Sequence, residues 1–217
     1  MGRVYRMPYG CFRVRLGTND LWILRSEQEI YEEFMVDGDV FVDAGAHIGK
    51  YSIMLSPRFK KVIAVEANPI NFQMLVENIQ LNHAYNVKPI QRALWYEDDK
   101  TLELFTPEVN FGGASLKREF IEMQRWSIIY RIQVRTITLN TLLEREDVRY
   151  VDLMKLDIEG AEYEALQGLN LDKHPVKKII YEAFNQEYCD KVASHLRKFG
   201  YEIRPTKHPN YWVAEKS

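Results

Sequence analysis

Apolar residues in this chain follow two alternating patterns. Near-continuous runs at Val40-Phe41-Val42, Val62-Ile63-Ala64-Val65 and Ile179-Ile180-Tyr181 have the character of strands buried on both faces. Further strands are expected near residues 87–91, 151–156, 201–205 and 210–214. Between these runs the spacing turns helical, at Phe72, Leu75, Val76 and Ile79, at Ala161, Ala165 and Leu169, and at Tyr188, Val192, Leu196 and Phe199. Asn68-Pro69 opens the first helix as N-cap and first helical residue, and Gly200 stops the last. Strand and helix in alternation predict an α/β domain built on a mostly parallel sheet.

The two ends of the chain modify this picture. Tyr201–Pro205 and Tyr211–Ala214 are joined only by Thr206–Asn210, too short for a parallel crossover, so the last strand must run antiparallel. Near the start, Phe12–Val14 and Leu21–Leu24 flank Gly17-Thr18-Asn19-Asp20 and are expected to form a hairpin. Ser26 and Glu29 have the spacing of a capping box for a short helix carrying Ile30 and Phe34, and Asp37-Gly38-Asp39 turns the chain into the first core strand. The expected division is one domain with an N-terminal cap (1–37), a nucleoside-binding half (38–94), an excursion (95–150) and the second half of the sheet (151–217).

Candidate chemistry gathers at strand ends. In Asp43-Ala44-Gly45-Ala46-His47-Ile48-Gly49, a buried strand passes through a glycine turn into a helix with a carboxylate at the turn. Gly45 permits a tight bend and a ligand against the main chain, and Gly49 permits close packing where the helix begins. A dinucleotide fingerprint would seat a pyrophosphate on that helix, and Asp43 would repel it. Asp43 suits instead the ammonium and sulfonium charges of S-adenosylmethionine. Glu66 ends the next strand, where an acid can accept from both hydroxyls of a ribose, and Ala67-Asn68 follow it. Gln91-Arg92-Ala93, at the third strand end, would lie along an adenine edge.

A second constellation runs from Leu153 to Glu162, where an apolar strand ends in Asp157, Glu159 and Glu162 around Gly160. Open parallel sheets bind ligands beyond the carboxyl ends of their strands, so Asp157 is expected on the same rim as Asp43 and Glu66. Glu162 also suits a first-turn acid that complements the helix dipole. Glu182 ends the neighbouring strand and with Asp157 would flank a reacting methyl group.

Composition narrows the partners more than the fold. The 217 residues, 46% hydrophobic and 28% charged, are sufficient for one globular core. A net charge of -2 supplies no global field to gather nucleic acid or anionic membrane, which favours a small partner. Cys11 and Cys189 are too few for a disulfide framework and point to a reducing compartment. No apolar stretch is long enough to span a bilayer, and Met1-Gly2-Arg3-Val4-Tyr5-Arg6 lacks a signal-peptide core, so a cytoplasmic protein is expected.

Taken in order, these stretches, with Gly112-Gly113-Ala114-Ser115-Leu116, resemble FkbM-type S-adenosylmethionine-dependent methyltransferases. The resemblance runs over roughly residues 38 to 184. It implies a Rossmann-like class I fold, a seven-stranded mostly parallel sheet with a C-terminal antiparallel hairpin, and typically O-methylation of a small-molecule or sugar hydroxyl. His47 stands where related sequences usually have asparagine, which implies a changed hydrogen bond at the cofactor's amino-acid end, a changed acceptor preference, or a plain spacer.

On that reading Asp157, Glu159 and Glu182 are the catalytic candidates, aligning the acceptor and taking its proton. A carboxylate with an ordinary pKa of about 4 is a weak base for an alcohol. Either desolvation and clustering raise one of the three, or the acids hold a divalent ion that acidifies the hydroxyl. Acceptor specificity is expected in the excursion, with a strand at Leu102–Phe105. There Lys117, Arg118, Arg125, Arg131 and Arg135 outnumber Glu119 and Glu122, as a solvated helix face or a surface recruiting an anionic or nucleic-acid acceptor. Trp126 and Tyr130 would share a helix face. The alternatives are an RNA or tRNA methyltransferase and a non-catalytic cofactor-binding module. An NAD-dependent oxidoreductase is disfavoured by Asp43 and by the terminal hairpin.

Overall fold

A computed structural model of the chain describes residues 2–108 and 110–216. β1 (Arg3–Met7) and β2 (Gly10–Val14) pair as an antiparallel hairpin, followed by α1 (Asp20–Arg25), a 3-10 turn at Gln28–Ile30 and α2 (Tyr31–Phe34). β3 (Gly38–Ala44), α3 (Lys50–Leu55), β4 (Phe59–Glu66), α4 (Pro69–Leu81) and β5 (Val87–Gln91) form the first core half. Next come β6 (Ala93–Leu94) and, in the excursion, β7 (Thr101–Pro107), α5 (Arg118–Met123), β8 (Ile128–Ile137) and α6 (Leu139–Arg145). The chain ends with β9 (Val151–Leu156), α7 (Glu162–Gln167), β10 (Val176–Glu182), α8 (Gln186–Arg197), β11 (Glu202–Pro205) and β12 (Tyr211–Glu215).

Seven strands make one sheet in the order β11-β12-β10-β9-β3-β4-β5. β12 runs antiparallel to both of its neighbours, and the other pairings are parallel, as the short Thr206–Asn210 connection requires. Strand order reverses between β3 and β9, which opens a crevice at their carboxyl ends. Successive residues of each strand point to opposite faces. Val42, Ala44, Ile63, Val65, Met154 and Leu156 pack toward α6, α7 and α8, whereas Phe41, Val62, Ala64 and Leu153 pack toward α3, α4 and α2. Both faces are covered, so these strands are continuously apolar. Asn68 caps α4 by accepting from the Ile70 N–H at 3.0 Å, as expected from Asn68-Pro69. A smaller sheet, β6-β8-β7, joins the excursion to the end of the first half. Among the described residues no helix is long and apolar enough to cross a membrane.

Three local expectations are corrected. Leu21–Leu24 is helical, and the hairpin partner of β2 is the preceding β1. A short apolar run does not distinguish strand from buried helix. Here Asp20, gripped by the Arg15 guanidinium at 2.6 and 2.9 Å and by the Arg15 N–H at 2.8 Å, starts a helix. Ser26 and Glu29 form no capping box. Glu27 adopts a left-handed backbone, φ 61, that breaks the helix frame, and the Ser26 hydroxyl donates back to the Ile23 carbonyl. Trp126 and Tyr130 share no helix. α5 stops at Met123, Arg125 has φ 58, and Tyr130 lies in β8.

A candidate active site at the switch point of the sheet

A cavity of about 680 Å³ opens at the carboxyl ends of β3, β4, β9 and β10. The cap closes one side through α1 and Glu27–Glu29, the excursion a second through Asn110–Trp126, and the β11–β12 turn a third through His208, Asn210 and Tyr211. Asn19 of the cap donates to Asn110 of the excursion. Gly113 lets Trp126 close on the cavity, since a Cβ there would lie 2.5 Å from the indole.

The glycine turn is held from behind as well as open in front. Gly45 has φ 78, and a Cβ on it would sit 1.8 Å from the Asp157 carbonyl oxygen. The Asp157 N–H in turn donates to the Ala44 carbonyl at 3.2 Å. Glycine is therefore required by the neighbouring strand end, in addition to any ligand. Gly45→Ala is expected to destabilise the fold by about 2 kcal/mol or more, from left-handed strain and displacement of the β9 end. A thermal midpoint within a degree or so of wild type would show that the turn tolerates a side chain.

Asp43 stands apart from most of the expected site residues. It is only 1% exposed and lies behind the cavity wall. Its Oδ2 accepts from the Ser52 hydroxyl at 2.5 Å, and its Oδ1 lies 3.7 Å from Lys155 Nζ. Parallel pairing of β3 with β9 sets Asp43 opposite Lys155, and the two-residue strand period brings Lys155 to Asp157 at 2.9 Å. Burial alone would lower the Lys155 ammonium, but the Asp157 and Asp43 carboxylates hold it above its ordinary value. Burial pushes the Asp43 carboxyl up against the pull of Lys155. Burial would also raise Asp157, yet Lys155 and the Tyr211 hydroxyl bring it below the usual range.

Other expected residues separate into two groups. Gly45, Ala46, His47, Glu66, Ala67, Arg92, Ala93, Asp157, Glu159 and Glu182 all line the cavity. Gly49, Asn68 and Gln91 do not: Gly49 packs on Leu75, Asn68 is the buried cap of α4, and Gln91 points to solvent. The Glu66 oxygens accept one each from the His47 and Asn68 N–H groups, both at 2.8 Å. Burial raises its carboxyl against these two donors.

Ligand-atom oxygens of Asp157, Glu159 and Glu182 lie within 4.8 Å of one another. Burial, then the Asp157 charge, pushes Glu159 and Glu182 well above the carboxylate range. Like charges this close titrate as one group, with Asp157 held low by Lys155 and the two glutamates held high. The donor set also suits a divalent cation.

Glu162 has more to do than complement a dipole. Its Oε1 accepts from the Ile158 and Gly160 N–H groups at 2.9 and 3.3 Å, and its Oε2 from the Tyr188 hydroxyl at 2.9 Å. These bonds hold the turn that carries Glu159, itself left-handed at φ 57. Burial pushes Glu162 up to about 7, above its value in an unfolded chain. Its contribution to stability is thus complete below the unfolded value, near 4.5, and is lost as pH rises through about 7. Glu162→Gln is expected to flatten the fall in melting temperature across that window. An unaltered pH profile would show that Glu162 does not titrate there.

Several wall residues carried no sequence signal of function. Glu27, Lys50, Tyr51, Lys155 and Tyr211 all face the cavity. The Tyr211 hydroxyl donates to Asp157 at 2.9 Å and lies 3.3 Å from Glu27, so the cap, the last strand and the β9 end meet at one hydroxyl. Non-glycine left-handed residues recur on the wall at Glu27, His47 and Glu159. Such strain persists where the surroundings over-determine the conformation, as binding sites do.

Comparisons with known proteins agree with this architecture. A family model described as the methyltransferase FkbM domain matches residues 43–203. Methyltransferase 1 of Beauveria bassiana is 28% identical over 153 residues, 64% of this chain and 61% of its own length. Methyltransferase sdnD of Sordaria araneosa is 27% identical, over 87% of this chain and 86% of its own. The hexuronic acid methyltransferase AglP of Haloferax volcanii is 25% identical, over 73% of this chain and 63% of its own. The match thus spans less than two thirds of the Beauveria and Haloferax relatives. Methyltransferase FkbM from Methylobacillus flagellatus superposes with a TM-score of 0.54 at 18% identity, over 83% of this chain and 44% of that one, which speaks to fold alone. The sheet, with its antiparallel last strand, is of the Rossmann-like class I methyltransferase type. From Asp43 in β3 to Ile203 in β11, glycine turn and acid-bearing strand ends included, the chain belongs to the FkbM family of methyltransferases.

Proposed function

We propose that the cavity binds S-adenosylmethionine and directs its methyl group to a hydroxyl oxygen of a small molecule or sugar. The observation that carries this reading is the placing of Glu66 and of the Asp157, Glu159 and Glu182 cluster on the wall of one cavity. Glu66 uses one lone pair per oxygen on backbone N–H groups and keeps others for ribose hydroxyls. Ala67, Ala93, Leu94 and Leu104 supply an apolar wall for adenine, with Arg92 beside it. The countercharge role that suited Asp43 passes to acids that reach the cavity.

The cofactor supplies an electrophilic methyl group when bound. The protein holds the acceptor in line, an effect of about 7 to 11 kcal/mol in well-oriented systems. Glu159 and Glu182, raised by burial and by the Asp157 charge, are in their ionised form the bases placed to take the hydroxyl proton, with Asp157 held low beside them. A divalent ion on the same three oxygens is the competing device. Loss of transfer in chelator with recovery in magnesium would favour it, and activity indifferent to chelation would favour the carboxylate base.

The hexuronic acid relative supports a sugar acceptor. Ion pairs of Lys117 with Glu164, Arg118 with Glu122 and Arg135 with Asp99 use up much of the excursion's positive charge and favour a small acceptor over RNA. Calorimetry with S-adenosylhomocysteine and NAD tests the cofactor. Heat with the first and none with the second is expected, and the reverse would overturn the reading. RNA affinity that falls steeply with salt would redirect the acceptor to nucleic acid. Transfer of labelled methyl to any component of a cell extract separates an enzyme from a binding module.

A further inference from the structure

Two unfavourable choices coincide on the cavity wall. Lys50, first residue of α3, is only 3% exposed, so a cation is both desolvated and set against the positive end of a helix. Burial lowers its ammonium and Glu27 pulls it back. Glu27 holds a left-handed backbone at φ 61, a strained conformation for a non-glycine residue. That backbone aims its carboxylate inward, with Oε2 2.9 Å from both Lys50 Nζ and the Tyr51 hydroxyl. The cap is anchored independently by Leu24, Ile30 and Phe34 in the core and by the Arg15 guanidinium, which donates to Asn71 at 2.8 Å.

Both residues line the cavity, and each keeps bonding capacity beyond their mutual contact. Lys50 Nζ donates to the Ser26 carbonyl at 2.8 Å and to Glu27, which engages two of its three protons. Glu27 Oε1 lies 3.3 Å from the Tyr211 hydroxyl, whose proton goes to Asp157, and so keeps accepting capacity. A cationic donor and an anionic acceptor therefore stand side by side, the complement of an α-amino-acid zwitterion. Position agrees: Glu66, the ribose candidate, accepts from the backbone of His47, and Lys50 lies just beyond the end of the same loop.

We propose that the Glu27–Lys50 pair is the subsite for the amino-acid end of the cofactor, Lys50 taking its carboxylate and Glu27 its ammonium. This rests on the cofactor reading above. Glu27 precedes the segment that the family model matches, so the cap completes a site whose other parts lie within it.

The test is calorimetric and needs no acceptor. S-adenosylhomocysteine carries the amino-acid end, and 5′-methylthioadenosine lacks it. Wild type is expected to bind both, the first more tightly. Glu27→Gln and Lys50→Met are each expected to weaken S-adenosylhomocysteine by about tenfold or more, the effect of losing one charged hydrogen bond, with methylthioadenosine unchanged. That unchanged affinity doubles as the check that each variant is folded. The exchange Glu27→Lys with Lys50→Glu keeps an ion pair but reverses its polarity, and it is expected to leave S-adenosylhomocysteine weak. Parallel losses for both ligands, recovery in the exchange, or equal affinities in wild type would each overturn the subsite. A wild-type protein that binds neither ligand would sink the cofactor reading itself.

Discussion

Asp157→Asn is expected to lower methyl transfer by about 10²–10⁴-fold, the range for disabling proton transfer by a positioned group. Asparagine keeps the size of the side chain and an acceptor for the Tyr211 hydroxyl but removes the charge. That charge is what, after burial, raises Glu159 and Glu182. Without it both become weaker bases, and the acid limb of the pH–rate profile should move to lower pH as the rate falls. A merely structural Asp157 would lower the rate with the limb in place. Single-turnover transfer of labelled methyl into the acceptor fraction of an extract, followed across pH, reads both quantities. Wild-type turnover in the variant at saturating cofactor would remove Asp157 from the mechanism.

Lys155→Met should produce the largest loss of stability. The residue is 2% exposed and stands between two carboxylates, 2.9 Å from Asp157 and 3.7 Å from Asp43. Removing one member of a buried ionic group typically costs about 3–5 kcal/mol because the remaining charge has no counterion. For a chain of this size that is a fall of roughly 10 °C in melting temperature. Burial already raises Asp43 with the ammonium present, and without it the folded pKa rises further above the unfolded one. Stability of the variant is then best retained in acid and lost as pH climbs through the folded value. Adding Asp43→Asn should recover part of the loss, since the two residues are coupled. A deficit that is equal at acid and neutral pH, or untouched by the second substitution, would show that Lys155 is not the compensating charge.

Much of the fold was legible because its signals are local. Continuous apolar runs marked β3, β4, β9 and β10, helical spacing marked α4 and α8, and a five-residue connection dictated an antiparallel β12. The cap was misread where Leu21–Leu24 fits strand and helix alike, and the Arg15–Asp20 contact decides between them. In the site, acids at strand ends were legible as a class, since the carboxyl edge of a parallel sheet is where ligands go. Which of them reach the cavity was not legible. Asp43 and Glu66 look alike in sequence, yet one is shut behind the wall against Ser52 and Lys155 and the other opens on it.

The amino-acid sequence by itself determined the α/β alternation, the glycine turn, the strand-end acids and a resemblance that the family match bears out. Each follows from the period of side chains or from the backbone freedom of a few residues, both properties of short stretches. Only the tertiary structure decided that Lys155 lies between Asp43 and Asp157, and that Tyr211 and Glu27 join them from opposite ends of the chain. Electrostatic partners are set by strand register and by distance in space. Residues 184 positions apart, such as Glu27 and Tyr211, carry no periodicity that links them until the sheet is assembled.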